Sequence, residues 1–318
     1  MRRENHNDLW RDFPKTATEF EARFATEDDC RAYWMQARWG GEPACARCTS
    51  TRVWTIREGT TFECAECGHQ TSLTSGTVLE KTRKPFKMWF RAVFEISTRR
   101  TGISAKDLQR IMGFGSYETA WTWLHKLRAA MVRSDSEPLG PFVQTDEALV
   151  GGKGSPHKEL VLVAAETGGR VRLAHVDNND EDTLQRFADG QIGTDTHVVT
   201  DGHAGYNERS LGERPHVMIV QTKAERRESD ALQGCHWTIS LLKRWLLGTH
   251  AGAVRDKHLQ AYLDEFAFRH NRRKTKGVGR IAARVIESLV ARPPLTMRQL
   301  IDDTRRCRGF GSNQIAVA

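Results

Sequence analysis

The sequence predicts an α/β protein made of a small zinc ribbon, a helical pair and a larger sheet domain. Three observations carry that prediction. Two Cys-x-x-Cys pairs lie between Cys45 and Cys67, an apolar helical periodicity runs through 85–135, and β-like runs alternate with helices from 142 onward. The length of 318 residues suits two domains of roughly 150 residues each. With 39% hydrophobic and 28% charged residues the chain can bury real cores, which excludes wholesale disorder.

Charge and cysteine usage narrow the class further. Lys plus Arg number 48 against 40 Asp plus Glu, a formal charge of +8 that suits a polyanionic partner. No run reaches the roughly 18 consecutive apolar residues of a membrane span, so no membrane partner is expected. The first residues, MRRENHNDLWRDF, lack the apolar run of a secretory signal, and a cytoplasmic protein is expected. Seven cysteines, four of them in paired knuckles, fit metal ligation in a reducing compartment better than a disulfide frame.

In chain order, TEDDCRAYWMQARW predicts a short helix with Thr26 as N-cap, an acidic first turn and Cys30, Tyr33 and Trp34 on its apolar side. Gly40-Gly41 ends it. Thr, Val, Trp and Phe between the cysteine pairs suit short strands. Phe86, Met88, Trp89, Phe90, Val93 and Phe94 form the apolar stripe of the next helix. ISAKDLQRIMG and SYETAWTWLHKLRAAM follow around Gly113 and Gly115, the pattern of a helix-turn-helix. SDSEPLGP (134–141) reads as a linker.

Beyond it, FVQTDEALVGG, ELVLVAAE and RVRLAHV predict three meandering strands, turned at Gly151-Gly152 and Gly168-Gly169. A helix over Glu181–Ala188, a strand THVVTD, a strand HVMIV (216–220) and a long helical region over 231–271 complete an α/β domain.

The spacing Cys45-x2-Cys48-x15-Cys64-x2-Cys67 is that of four thiolates on two turns holding one tetrahedral structural Zn²⁺. Gly68 and the pair Thr49-Ser50 supply the small residues such knuckles need. Cys30, Cys235 and Cys307 are expected to be ordinary thiols.

Asp146 lies within the first strand of the sheet domain and Asp201 closes the fourth, where open α/β domains assemble their sites. Glu147 must point to the opposite face of Asp146's strand. Helix CHWTISLLKRWL carries His236 and, seven residues on, Lys243, two turns apart and so on one face. Its Trp237, Leu241 and Trp245 are expected to face the core. Two strand aspartates and a helix ligand can hold a pair of divalent cations for phosphodiester chemistry.

The ribbon, SLTSGTVLEKTRKPFKMWF, AWTWLHKLR, TDEALVGGKG, TDGHAGY and LKRWLLGTHAGAVRDKHLQAYLDEFAFRHNRR together resemble the ISXO-like insertion-sequence transposases, over about residues 18 to 280. The resemblance implies a ribonuclease-H-like catalytic domain of the DDE type behind the ribbon. It also implies cleavage of element ends by water, and attack of the freed 3′-hydroxyl on target DNA with Mg²⁺ or Mn²⁺. The implied partners are the terminal inverted repeats, target DNA and further copies of the chain in a synaptic homo-oligomer, in nucleoid-associated cytoplasm. Asp146 and Asp201 match the first two acids. The third position, commonly Glu or Asn seven residues before a Lys, is His236 before Lys243. Imidazole suits Mn²⁺ or Zn²⁺ better than Mg²⁺. Either His236 is a tolerated ligand, or this copy is weakened, or Glu265 fills the role; the first is the reading adopted.

The expected organisation is an N-terminal helical segment (1–43), the zinc ribbon (44–80), the helix-turn-helix-like region (81–135), the catalytic domain (141–287) and a tail (288–318). From Arg269 to Arg284 seven cations, Arg269, Arg272, Arg273, Lys274, Lys276, Arg280 and Arg284, run without an acid and suit DNA phosphates. Lys126, Arg128 and Arg133 are expected at phosphates near the second helix of the pair, Ser116, Tyr117 and Thr119 nearer the bases, and Lys243 at a phosphate near the cut. A reading from another class is a DNA-binding regulator whose transposase domain is catalytically dead.

Overall fold

The computed structural model describes residues 9–57, 59–132, 137–151, 158–252 and 256–302. Gly152, Arg133, Cys307 and the tail beyond 302, all singled out by the sequence, lie outside the described residues. Two compact units result: 1–130 with 275–301, and 131–274.

The first unit starts with α1 (Leu9–Asp12), α2 (Ala17–Arg23) and α3 (Glu27–Trp39). Thr26 caps α3 in a reciprocal capping box with Asp29, and Gly40, at φ 69°, ends it in the left-handed conformation. The ribbon follows as an antiparallel sheet of β1 (Val53–Ile56), β2 (Thr61–Cys64) and β3 (Gln70–Ser72). Next come α4 (Phe86–Thr98), α5 (Ala105–Met112) and α6 (Tyr117–Met131), with the α5–α6 turn at Gly113. Phe13, Phe20, Phe24, Tyr33 and Phe90 pack ring on ring in the core. Trp89 of α4 stacks on Trp123 of α6 at 3.5 Å. The Glu27 carboxylate accepts the amides of Phe86 and Lys87 at 2.6 and 3.0 Å, satisfying the open start of α4, where Pro85 offers no side-chain cap.

The second unit is a sheet covered on both faces. Its elements are β4 (Phe142–Val150), β5 (Glu159–Glu166), β6 (Val171–Val176), α7 (Glu181–Gln191), β7 (His197–Thr200), α8 (Glu208–Leu211), β8 (His216–Met218), α9 (Lys223–Glu228), α10 (Gln233–His250) and α11 (Asp256–Asn271). The strand order is β6-β5-β4-β7-β8. β4, β5 and β6 form an antiparallel meander, while β7 and β8 join parallel to β4. That mixed order, antiparallel first and parallel after, is the ribonuclease-H-like arrangement. Alternation decides which face each residue serves. Leu162 and Ala164 pack with Leu184, Phe187 and Tyr206 on one side, whereas Val161, Val163 and Ala165 pack with Cys235, Leu242 and Leu263 on the other.

Several expectations are corrected here. The stretch 134–141 is more than a linker among its described residues: Leu139 is buried at 1% and bridges Ile192. The helical region over 231–271 is two helices, because Ala251 and Gly252 take left-handed φ of 52° and 68°. Trp237 is 59% exposed and does not face the core. The covered face of α10 runs through Cys235, Thr238, Leu242 and Leu246, and a residue two places from Cys235 sits about 200° round the helix. Residues 275–287, expected in the catalytic domain, group with the first unit instead. They belong to the first unit through α12 (Val278–Ala291), which lies against α1, α3 and α4 and is followed by α13 (Met297–Ile301).

Candidate active site and zinc centre

The four cysteines converge. Cys45 Sγ lies 3.6 Å from Cys67 Sγ and Cys48 Sγ 3.5 Å from Cys64 Sγ, with all four sulfurs within 4.8 Å of one another. Zn–S bonds of 2.3 Å in a tetrahedron put sulfurs about 3.8 Å apart, so the donor set fits zinc with little movement. Each knuckle closes with a left-handed residue, Thr49 at φ 59° and Gly68 at φ 64°. Backbone amides of Cys48 and Arg47 pull the Cys45 thiol down to about 6, toward the thiolate that zinc requires. Cys30 and Cys235 are buried away from this centre, and burial pushes the Cys30 thiol up to about 12.

In the sheet domain, Asp146 pairs in register with Val163 and therefore faces α10. Its carboxylate is 13% exposed and lies 3.4 Å from Nε2 of His236. Burial raises the Asp146 pKa, and the nearby Asp201 charge raises it further while His236 opposes both. Asp201, just past the end of β7, accepts the His203 amide at 3.0 Å. Cations held by oxygen and nitrogen at about 2.1 Å place neighbouring ligands about 3 Å apart. The Asp146–His236 separation is close to that edge. Among the described residues, however, only the cysteines form a metal-ready group of three or more. Asp146, Asp201 and His236 are neighbours that a cation would still have to draw together.

Three groups that the sequence reading left aside support these residues. Asp230 Oδ2 lies 2.7 Å from His236 Nδ1. Glu147, on the opposite face from Asp146, accepts from the Tyr206 hydroxyl and the Asn179 amide at 3.2 Å each. Asn179 also lies 3.0 Å from His203 Nε2, tying the loop after Asp201 to the first strand. Asp230 lies six residues before His236 with no motif to mark it, and His203 and Tyr206 belong to the TDGHAGY segment, where neither was singled out.

The remaining predicted residues divide by exposure. Lys243 is exposed on α10, at a cavity of about 200 Å³ lined by Val150, Glu159 and Leu259. Arg273, Lys274 and Lys276 are exposed, and Arg273 donates to the Gly169 carbonyl at 2.7 Å. Arg272 is half-buried, its guanidinium 3.9 Å above the Phe268 ring. Three assignments are corrected. Arg128 is 1% exposed and so cannot reach a phosphate. Lys126 is half-buried, donates to the Val78 carbonyl at 3.1 Å, and burial lowers its pKa. Arg269 pairs at 2.8 Å with the fully buried Glu265, which removes Arg269 from the DNA surface and Glu265 from the set of candidate ligands. Arg280 lies over the Trp10 ring and Arg284 pairs with Glu287. The cations Lys81, Arg83 and Lys84 were missed: exposed and without an acid between them, they edge a groove of about 840 Å³ in the first unit.

A cysteine-built ribbon and a ribonuclease-H-like sheet with acids on adjacent parallel strands define a nucleic-acid-processing class. Residues 25–70 match the transposase zinc-ribbon domain and residues 131–271 the ISXO2-like transposase domain. Both matches are to domain models of ISXO2-like transposases, the family that the sequence resembles. A search of curated proteins returns no match. Among solved structures, a cryo-EM structure of the simian T-cell lymphotropic virus intasome in complex with PP2A regulatory subunit B56 gamma is 15% identical, covering 50% of this chain and 67% of that one. Its TM-score is 0.29, too low to argue from. No helix among the described residues is long and apolar enough to cross a membrane.

Proposed function

We propose that the protein binds the ends of an insertion sequence, cleaves them in a metal-dependent reaction and joins the freed strands to target DNA. The observation that carries this reading is the half-hidden Asp146 carboxylate, 3.4 Å from His236 and within the field of Asp201, in a domain that matches a transposase family. Asp146, Asp201 and His236 would hold the divalent cations. When bound, Mg²⁺ or Mn²⁺ supplies an activated oxygen nucleophile and charge stabilisation at the leaving oxygen.

The chain's own residues do the rest. The Asp201 loop is tied to the first strand by the Tyr206–Glu147–Asn179–His203 bonds, which limit how far its carboxylate has to move to meet a cation. Lys243, exposed two turns along α10 from His236, suits a scissile-strand phosphate. Arg273, Lys274 and Lys276 suit backbone phosphates further away, with affinity that falls as salt rises. Two or more copies would bring two ends together.

The test is cleavage of a labelled duplex carrying the element's own end. Asp201→Ala should abolish strand cleavage while leaving duplex binding intact. Cleavage retained by that variant would refute the assignment, and tight binding by a wild type that never cleaves would favour a regulator.

A further inference from the structure

The pairing behind His236 has a consequence for the third ligand. An imidazole binds a cation only through a nitrogen that carries no proton, and the partner of the other nitrogen decides which one that is. Asp230 Oδ2 stands 2.7 Å from Nδ1, on the side of the ring away from Asp146, while Nε2 is the nitrogen nearest Asp146. A carboxylate accepts, so at 2.7 Å Asp230 takes the ring N–H at Nδ1. The pair is partly shielded, with side chains 31% and 19% exposed.

Resting on the transposase reading, we propose that Asp230 is a positioning residue that lets His236 stand in for a third carboxylate. It holds the Nδ1 proton, leaves Nε2 bare toward Asp146, and restores the negative charge that a neutral imidazole lacks. The ligand set then carries the charge of three carboxylates while presenting one nitrogen. Nitrogen favours Mn²⁺ over Mg²⁺, whose preference is for oxygen. The site is therefore tuned to the softer cation.

Asp230 also shapes the start of α10, its Oδ1 accepting the Leu232 amide at 3.1 Å. Asn can keep that bond and remove only the charge, which makes Asp230→Asn the informative variant. With the ribbon saturated with zinc, Mn²⁺ binding is measured from the free-ion signal in electron paramagnetic resonance. The expected result is about 10–100-fold weaker Mn²⁺ binding by Asp230→Asn, with unchanged circular dichroism, as for other partners of ligating histidines. In a His236→Glu background the same change should matter little, because the glutamate brings its own charge, and the metal preference should move toward Mg²⁺.

Wild-type Mn²⁺ affinity in Asp230→Asn, alongside loss in Asp146→Ala, overturns the role of Asp230 and leaves the transposase reading standing. Equal loss from Asp230→Asn in both backgrounds also overturns it, since Asp230 would then act on the fold and not through the imidazole. Unchanged Mn²⁺ affinity in Asp146→Ala overturns the reading beneath it.

Discussion

Asp146 is held at 13% exposure in a place where ionising it is unfavourable, since burial and the Asp201 charge both raise its pKa. A carboxylic acid with a raised folded pKa destabilises the fold once pH rises above its unfolded value. Asp146→Asn, whose amide oxygen can still accept the Glu147 amide, should raise the metal-free melting temperature at neutral pH while abolishing cleavage. A lowered melting temperature would contradict the account. His270 gives a separate pH test, because burial first and Arg273 second depress its pKa to about 4. Its neutral form is the folded one, so its contribution is intact above about 6.5 and is lost as pH falls from there toward about 4, where only the unfolded chain takes the proton. Denaturation midpoints of wild type and His270→Phe across that window should converge at the neutral end and separate at the acid end. The β-runs of the sequence put Asp146 inside its strand and Asp201 at the close of another, and both stand there in the structure. Arg128 and Arg269 were misread, because a charge pattern does not say which side of a helix its neighbours will cover.

At the level of elements, the Thr26 cap and the glycine stops were readable, while the break at Ala251-Gly252 and the packing partners were not. Thr26 caps its helix and Gly40 and Gly113 end theirs as expected, and the structure adds Ser104 and Asp180 as caps of α5 and α7. The partner of α12 could not be read, because an amphipathic face asks only for an apolar surface and does not name it. That helix seats against α1 through Gly279, where a β-carbon would collide with the Trp10 and Phe13 carbonyls. Gly279→Ala should therefore cost about 1–3 kcal/mol by overpacking, measured in urea. A stabilised Gly279→Ala protein would mean that the contact is looser than described. Trp237 shows the same limit on α10, where Thr238 takes the covered position that aromatic bulk led one to expect for the tryptophan.

For the molecule as a whole, the ribbon and the sheet domain were both legible, the first from cysteine spacing and the second from its β–α alternation. The side-chain network around Asp201 was not, since Glu147, Asn179, His203 and Tyr206 meet only when the sheet closes. Zinc should be present at one ion per chain, and its removal by a chelator should unfold the ribbon, because a closed thiolate site contributes folding free energy. A metal-free protein with an unchanged melting profile would remove zinc from the account. The central claim is a divalent-cation site made by two strand aspartates and a helix histidine. Its most direct test is nicking of a duplex bearing the element's end, in Mn²⁺ and in Mg²⁺, by wild type, Asp146→Ala and His236→Ala side by side. The account predicts metal-dependent nicking, stronger in Mn²⁺, lost in both variants. Nicking that survives His236→Ala would contradict it.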